Sequence, residues 1–212
     1  MRFSKILLGM IFLMGCARTE TINLQEESIE WLTDMNEGGT FQMIDDNNIS
    51  QSWSLLTKDN SFSGGSSGIL FITTKWTYRE MSYENFRNNV LGQFSISVKT
   101  DYSSGNDYMS ISTDGISVSF DLSDRNILDL HVEYGNGETI YWNYQSDEPL
   151  NTKPVIVDSK ELGDRIYGET LIFRLEDYQN GLSENDIIAF YFTKDEGLIY
   201  LELKSGLKYF RV

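Results

Sequence analysis

The sequence predicts an all-β protein, built either as an antiparallel sandwich or as a strongly curled, barrel-like sheet of roughly ten to twelve strands with one or two short helices. Two observations carry this prediction. Apolar and polar residues alternate along many short segments, and tight-turn signals separate those segments at short intervals. Because side chains along a strand point to opposite faces in turn, such segments are typical of antiparallel strands with one face packed against the core and one face exposed to solvent.

The alternation is clearest in the middle of the chain, at residues 94–99, 116–122 and 128–134. Asp114-Gly115 precedes the second of these segments, and Gly135-Asn136-Gly137 follows the third. Such turns supply the positive φ angles that tight hairpins require, so this region is predicted to be a meander. Further strands are predicted at 40–44, 51–56, 69–78, 109–113, 139–144, 155–157, 170–175, 187–193, 198–203 and 207–212.

Two short interruptions of the strand pattern indicate helices, over 82–91 and 159–167, because each begins with a serine that can cap a helix. The chain has only two prolines, Pro149 and Pro154. They lie together where the two halves of the strand series meet. This segment is therefore the predicted crossover between sheets.

The N-terminus has the three parts of an export signal. Arg2 and Lys5 precede an apolar run at 6–14, which is shorter than the roughly 18 to 20 residues that a membrane-spanning helix needs. Gly15-Cys16 follows, and the quartet 13–16 resembles the lipobox of bacterial lipoproteins. In a lipobox the cysteine receives a diacylglyceryl group and the signal is cleaved just before it.

Cys16 is the only cysteine of the chain, so no intramolecular disulfide is available to it. Its position at the end of a signal favours lipidation over the alternative, an ordinary secretory signal that is cleaved elsewhere. The chain is then divided into a signal peptide at 1–15, a lipidated cysteine and polar tether at 16–38, and a single β domain at 39–212.

The charge of the chain restricts its partners, since 17 basic side chains stand against 32 acidic ones and give a formal net charge of −15. Nucleic acid is not an expected partner, because affinity for phosphate backbones depends on cationic side chains. The same charge repels anionic lipid headgroups. The acyl anchor, and not the protein surface as a whole, is therefore expected to hold the protein at the membrane.

Three features of the chain resemble those of many small lipoproteins of Bacteroidota-type bacteria. They are the signal that ends at Cys16, the acidic body rich in Tyr, Phe and Asn, and the closing segment 190–199 followed by Ser205-Gly206. Those proteins often close on an aromatic strand, a Lys-x-x-Gly turn and a last strand led by glycine. The resemblance implies a location in the cell envelope, expected to be the outer membrane, and supports a β fold. It carries over no catalytic residue.

One segment formally matches a catalytic motif. Gly64-Gly65-Ser66-Ser67-Gly68 fits G-x-S-x-G, and Asp129 and His131 follow in the order of a hydrolase triad. That motif requires a turn from a strand into a helix, whereas here a glycine-rich stretch leads into the strand that begins at Ile69. The segment is therefore interpreted as a flexible turn, and no catalytic residue is assigned.

Metal binding has little support in the sequence. His131 is the only histidine, which excludes a multi-histidine site. Residues 45–48 (Asp-Asp-Asn-Asn) offer oxygen atoms, but they lack the glycine and the distant glutamate of a known calcium loop, so a turn rich in Asp and Asn is the prediction. No metal, no cofactor and no enzymatic activity are expected.

The aromatic content is the remaining feature, with four Trp, twelve Tyr and twelve Phe. The periodic positions of Trp76 and Trp142 indicate core. Tyr102, Tyr108 and Tyr141 are better placed for exposure, and they are the candidate ligand-binding residues, because flat rings beside Asp and Asn can bind sugars. The alternative is that these rings belong to the β core and its rim.

Two function classes remain open. The first is a non-enzymatic envelope lipoprotein that binds a partner protein or a glycan. The second is a carrier that encloses an apolar ligand within a curled sheet. A carrier needs an unfilled apolar interior, whereas a surface-binding domain has a filled core.

Overall fold

The computed structural model describes residues 18–69, 72–100 and 105–212, and it describes no side chain from 65 to 76 or at Arg18. The described residues are all-β, which confirms the predicted class. They also form a large antiparallel sheet, as predicted. Two short helical segments are present: the α-helix α1 (Glu26–Ile29) and a 3-10 turn (Gln179–Gly181).

Sixteen strands lie in the described part of the chain, more than the ten to twelve predicted. Three of them contain only three residues, too few for a visible alternation of side chains. The strands are β1 (Arg18–Ile22), β2 (Thr40–Asp45), β3 (Ser50–Ile69), β4 (Ile72–Asn88), β5 (Gly92–Thr100), β6 (Asp107–Thr113), β7 (Ile116–Asp121), β8 (Ile127–Glu133), β9 (Thr139–Asn143), β10 (Val155–Val157), β11 (Lys160–Leu162), β12 (Arg165–Tyr167), β13 (Thr170–Arg174), β14 (Ile187–Thr193), β15 (Gly197–Leu203) and β16 (Lys208–Arg211).

Fourteen of the strands belong to one sheet. Its hydrogen-bonded path runs β10, β13, β14, β15, β16, β2, β3, β4, β5, β6, β7, β8 and β9, and β1 adds to β4 as a parallel strand. β11 and β12 form a separate hairpin. The path has two ends, β10 and β9, which do not pair with each other, so the sheet is not closed into a barrel.

The sheet bends back on itself. The rings of Phe94 on β5 and Phe190 on β14 lie 5.4 Å apart, although six steps of the ladder separate their strands. In a flat sheet, with roughly 4.8 Å between neighbouring strands, six steps would place them about 29 Å apart. The core fills the concave side, and its largest fully buried side chains are Trp53, Phe86, Phe94, Phe120, Phe173 and Phe192.

Both predicted helices are wrong. Residues 82–88 belong to β4, and 160–167 form the β11–β12 hairpin. In the first case Ser82, Glu84 and Asn88 are buried together with Phe86. Polar residues on the buried face hide the apolar alternation that identifies a strand, which is why the sequence pattern failed there.

The predicted meander is confirmed. Strands β5 to β9 follow one another as antiparallel neighbours, and Gly137 in the turn before β9 has a φ of +84°. The segment that contains Pro149 and Pro154 connects β9 to β10. It is a crossover, as predicted, but it joins the two ends of one sheet.

The segment before β2 contributes to the body of the protein. Residues 18–22, assigned to the tether from the sequence, form β1, and Leu24, Trp31 and Leu32 are part of the hydrophobic core. A fully buried carboxylate, that of Glu84, holds this segment. It accepts hydrogen bonds from the Thr33 amide (3.1 Å) and hydroxyl (3.0 Å), and the Lys58 ammonium lies 3.1 Å away.

β3 and β4 extend beyond their neighbours. β2 pairs with β3 only over 50–54, and β5 pairs with β4 only over 81–88. Outside these limits the hairpin continues to Ile69 and Ile72, with β1 as its one additional strand in the described structure. We call residues 62–80 the arm. Gly64–Gly68, predicted to be a flexible turn, lies within β3 in the arm.

Candidate functional site

A cleft lies beside the end of β9, where the connection that leads to β10 folds against the turn between β7 and β8. Its volume is about 450 Å³, within the range of small-molecule sites. Residues from the end of β7, the start of β8, the end of β9 and the segment before β10 line it. We call it the seam cleft, and its lining includes Asp121, Asp124, Arg125, Asn126, Leu128, Trp142, Tyr144, Leu150 and Lys153.

The turn between β7 and β8 forms one wall. The Asp121 carboxylate accepts hydrogen bonds from the Ser123 amide (2.7 Å) and hydroxyl (2.5 Å) and from the Asn106 amide group (3.1 Å). Burial by itself raises the pKa of Asp121, but these hydrogen bonds outweigh it and hold the pKa below its ordinary value. The carboxylate is therefore ionised at neutral pH, and it fixes the turn.

The opposite wall is the segment that follows Pro149. The Asp177 carboxylate accepts hydrogen bonds from the amides of Asn151 (2.9 Å) and Thr152 (2.8 Å) and from the Thr152 hydroxyl (2.8 Å). The same hydroxyl accepts from the Glu176 amide at 2.9 Å. This network ties the wall to the residues that follow β13.

A β-bulge brings Leu128 to the cleft. Ser119 on β7 pairs with Asp129 on β8, but the next residue, Phe120, pairs with Ile127, so Leu128 has no partner across the ladder. A bulge of this kind redirects the side chain of the extra residue. Ile127 is buried, whereas Leu128, which the sequence pattern places in the core, is half-buried and lines the cleft.

Two aromatic rings lie at the end of β9. Trp142 packs against the core, and its indole N–H donates to the Glu148 carbonyl oxygen at 2.8 Å, so its orientation is fixed. Tyr144, two residues further on, is 68% exposed. Its backbone amide donates to the Leu128 carbonyl oxygen at 3.1 Å. The prediction of Trp142 as a core residue is confirmed in part, because its ring is both packed and open to the cleft.

The charges around the seam cleft balance. Asp121 and Asp124 contribute two carboxylates, and Arg125 and Lys153 contribute two cations. The Asp124 carboxylate accepts from the amide (2.9 Å) and the side chain (2.8 Å) of Asn126. The cleft therefore combines aromatic rings with hydrogen-bonding groups at no net charge, on a chain whose net charge is −15.

The predicted ligand-binding tyrosines do not form one cluster among the described residues. Tyr102 lies outside the described residues. Tyr108 on β6 and Tyr141 on β9 share the outer face of the sheet, but three ladder steps and four residues along the strand separate them, or roughly 20 Å. Tyr141 is 63% exposed and lies edge-on to His131. Their role in binding stays a prediction.

The hydrolase motif is not assembled as such motifs require. Ser66 lies within β3, and not at a turn into a helix. Asp129 and His131 are alternate residues of β8 and face the same side of the sheet.

Two other predictions fall in undescribed parts of the chain, namely lipidation at Cys16 and the core position of the Trp76 side chain.

The turn at residues 45–48 is confirmed as an Asp- and Asn-rich turn. The Asp45 carboxylate accepts from the amides of Asn47 (2.9 Å) and Ile49 (2.7 Å), and Asn48 has a φ of +62°. Over the described residues, no group of three or more His, Cys, Asp or Glu side chains is arranged to hold a metal ion.

A larger groove, of about 880 Å³, lies at the base of the arm. Five acidic side chains face it, and its two lysines are already paired: Lys58 with Glu84, and Lys194 with Glu30 and Glu169. No aromatic ring lines it. The seam cleft is therefore the better candidate for ligand binding, although it is smaller.

Comparison with family models, with curated proteins and with solved structures found no match for this chain. In the part of the chain that the structure describes, no helix has the length and apolar character needed to cross a bilayer. The site is therefore assigned from its geometry alone.

Proposed function

We propose that this protein is a non-enzymatic lipoprotein of the bacterial cell envelope, attached to the outer membrane through Cys16, which binds neutral glycan in the seam cleft. The observation that carries the proposal is the position of Trp142 and Tyr144 beside the Asp- and Asn-rich turn after β7. Aromatic faces pack against the apolar faces of sugar rings, and fixed carboxylate and amide groups bond the hydroxyls at the ring edge.

The balanced charge of the cleft favours a neutral ligand over a charged one. The cleft walls are also ordered before any ligand binds, because Asp121 accepts several hydrogen bonds that fix the turn after β7, and Asp177 accepts several from the segment that follows Pro149. Preordered walls lower the entropy cost of binding. These features support recognition of a rigid, uncharged sugar ring.

The filled core supports surface binding over the carrier alternative. The ring of Phe190 on β14 contacts Phe94 across the core, at 5.4 Å, and Phe173 on the neighbouring strand, at 4.9 Å. The concave side of the sheet, where a carrier would hold an apolar ligand, is thus occupied by protein side chains at this point. A partner protein remains the alternative occupant of the seam cleft.

The test is a screen of the purified protein against a panel of neutral polysaccharides, followed by affinity measurements on two tyrosine variants. Tyr144→Ala is expected to weaken binding at least tenfold, a loss of about 1.4 kcal/mol. Tyr141→Ala is the matched control, since its ring is equally exposed but lies on the outer face. If only Tyr141→Ala loses binding, the binding site lies on the outer face of the sheet. If no glycan binds, a protein partner is favoured.

A further inference from the structure

We propose that the seam cleft is one part of a longer furrow, and that its ligand is a linear, neutral oligosaccharide of several sugar rings. The proposal rests on the glycan binding proposed above. It follows from a second cavity beside the seam cleft, from the two chain segments that bound both cavities, and from the groups that line the second one.

The second cavity has a volume of about 220 Å³. This volume is below the roughly 300 Å³ at which independent small-molecule sites begin. The lining comes from the turn between β7 and β8, from β10 and from the segment before β2, and it includes Gln25, Glu27, Leu122, Ser123, Arg125 and Ile156. The size of the second cavity therefore suits one part of a larger ligand.

The turn between β7 and β8 is a wall of both cavities. The Arg125 amide donates to the Asp121 carbonyl oxygen at 2.9 Å, and Arg125 has a φ of +64°. Residues other than glycine rarely adopt this left-handed conformation, and such strained residues cluster at binding sites. The compact turn places Asn126 in the lining of the seam cleft and Ser123 in that of the second cavity, and Arg125 lines both.

The facing wall is shared as well. Thr152 and Lys153 line the seam cleft, and Ile156 on β10 lines the second cavity. Lys153 and Ile156 are three residues apart, which is at most about 10 Å of chain. Because the same two segments bound both cavities over this short distance, one chain of sugar rings can enter both. We call the two cavities together the furrow.

The second cavity offers hydrogen-bonding groups beside small apolar surfaces. Gln25 and Ser123 are exposed, whereas Leu122 and Ile156 are half-buried and pack against the core. The backbone of Gln25 is fixed, because its amide donates to the Asp107 carboxylate at 2.7 Å. A sugar ring has apolar faces and hydroxyl groups at its edge, so it matches both kinds of surface.

The charges of the second cavity favour a neutral ligand. The carboxylates of Glu27, Asp107 and Glu169 line it together with two cations, Arg125 and Lys194. Lys194 is already paired with Glu169, at 2.9 Å. The acidic groups outnumber the basic ones, and like charges across an interface repel. A sugar that carries a carboxylate or a phosphate is therefore disfavoured.

The first experiment measures affinity against ligand length. The full chain is titrated in a calorimeter with linear oligosaccharides of glucose, of mannose and of N-acetylglucosamine, from the monosaccharide to the hexasaccharide. The affinity is expected to rise about tenfold beyond the disaccharide, through one or two added hydrogen bonds in the second cavity. Tyr144→Ala is expected to weaken binding at every length, because Tyr144 lines the seam cleft.

The second experiment locates the longer ligand by thiol protection. Glu27→Cys places a thiol in the lining of the second cavity, and Glu26→Cys is the matched control, since Glu26 is also exposed but lines the groove at the base of the arm. Mass spectrometry of the peptide that carries each thiol follows its alkylation by iodoacetamide. The hexasaccharide, at ten times its Kd, is expected to slow alkylation of the Glu27→Cys thiol about tenfold and to leave that of Glu26→Cys unchanged.

The outcomes separate the two proposals. If no oligosaccharide binds at any length, both the glycan proposal and the furrow are wrong. If oligosaccharides bind but the affinity does not rise beyond the disaccharide, or rises without protection of the Glu27→Cys thiol, the furrow is wrong and the seam cleft stands. Equal protection of both thiols would also overturn the furrow. Gln25→Cys replaces Glu27→Cys if that variant loses its near-UV circular dichroism.

Discussion

The ring of Phe94 on β5 lies 5.4 Å from the ring of Phe190 on β14, edge to face, and 6.2 Å from the ring of Phe192, with which it is stacked. β5 and β14 are never hydrogen-bonded to each other. These contacts therefore depend entirely on the bend of the sheet. They join the N-terminal half of the ladder to the C-terminal half.

Phe94→Ala is expected to reduce the free energy of unfolding by about 3 to 5 kcal/mol, because Phe94 is fully buried and its removal leaves a cavity. Denaturant unfolding followed by near-UV circular dichroism measures this loss. Phe62→Ala is the control, since Phe62 is an exposed phenylalanine in the arm. A cost below about 1 kcal/mol for Phe94→Ala would contradict the packing of β5 against β14.

Glu84→Ala is expected to reduce the free energy of unfolding by about 3 to 5 kcal/mol, because it leaves the Thr33 and Lys58 donors around the site without their buried acceptor. Thr33→Val removes only the hydroxyl donor, so a smaller loss, about 1 to 2 kcal/mol, is expected. Glu133→Ala, at an exposed position of β8, is the control. Equal stability of Glu84→Ala and Glu133→Ala would show that the segment before β2 is not held by this carboxylate.

Stability is expected to fall in acid as Asp177 takes up a proton. Burial raises the pKa of Asp177, but hydrogen bonds from Thr152 and Asn151 outweigh it, so the pKa in the folded protein lies below the ordinary 3.8. The folded state then binds the proton less tightly than the unfolded chain. The contribution of Asp177 is complete above pH 3.8 and is lost as the pH falls through the pKa of the folded state.

The measurement for this prediction is the denaturant midpoint of the wild type and of Asp177→Asn, taken at neutral pH and at about pH 3. Asp177→Asn is expected to be less stable at neutral pH and to lose less stability in acid. Asp147→Asn, at an exposed position in the same connection, should keep the acid dependence of the wild type. An unchanged acid dependence in Asp177→Asn would show that the carboxylate does not hold the cleft wall.

The anchor is tested by metabolic labelling with a palmitate analogue. The wild-type protein should be labelled and should sediment with membranes, and Cys16→Ala should lose the label and be released. More than one acyl chain is needed for stable attachment, so partial release of the wild type would indicate incomplete acylation. A label that persists in Cys16→Ala would show that lipid is attached elsewhere or that another residue anchors the chain.

The sequence predicted the elements whose two faces differ clearly. Phe94, Ile96 and Val98 are buried on β5, and the residues between them are half-buried, so the alternation is visible without a structure. The prediction from sequence failed around Glu84, where a carboxylate occupies the buried face of β4. Its partners, Thr33 and Lys58, are 51 and 26 residues away in the chain, and no local pattern identifies them.

The seam cleft was harder to predict than the fold. The bulge that frees Leu128 from the ladder leaves the apolar alternation of β8 almost unchanged, so the sequence places Leu128 in the core. The cleft also needs the connection after Pro149 to lie against the turn after β7, and no local sequence pattern predicts that contact. The signal that was present is the pair Trp142 and Tyr144, two aromatic residues at alternate positions, although they lie 16 residues beyond Asn126 in the Asp- and Asn-rich turn that they face.

Binding of a neutral glycan in the seam cleft should depend little on salt. Ring packing and hydrogen bonds to hydroxyls involve no ion pair, and salt screens only interactions between charges. The affinity of the wild type is therefore expected to change less than about twofold between low and moderate ionic strength, at 0.01 M and 0.15 M. Isothermal titration calorimetry with the tightest ligand from the panel gives the affinity under both conditions.

Arg125→Ala is the companion variant, since it removes one of the two cations at the cleft without removing a ring. Its affinity for a neutral glycan should stay close to that of the wild type, and its salt dependence should stay flat. For an acidic partner protein the outcome is different: binding would fall steeply with salt, and Arg125→Ala would weaken it further. If the affinity of the wild type depends steeply on salt, the occupant of the cleft is therefore a charged protein and not a neutral glycan.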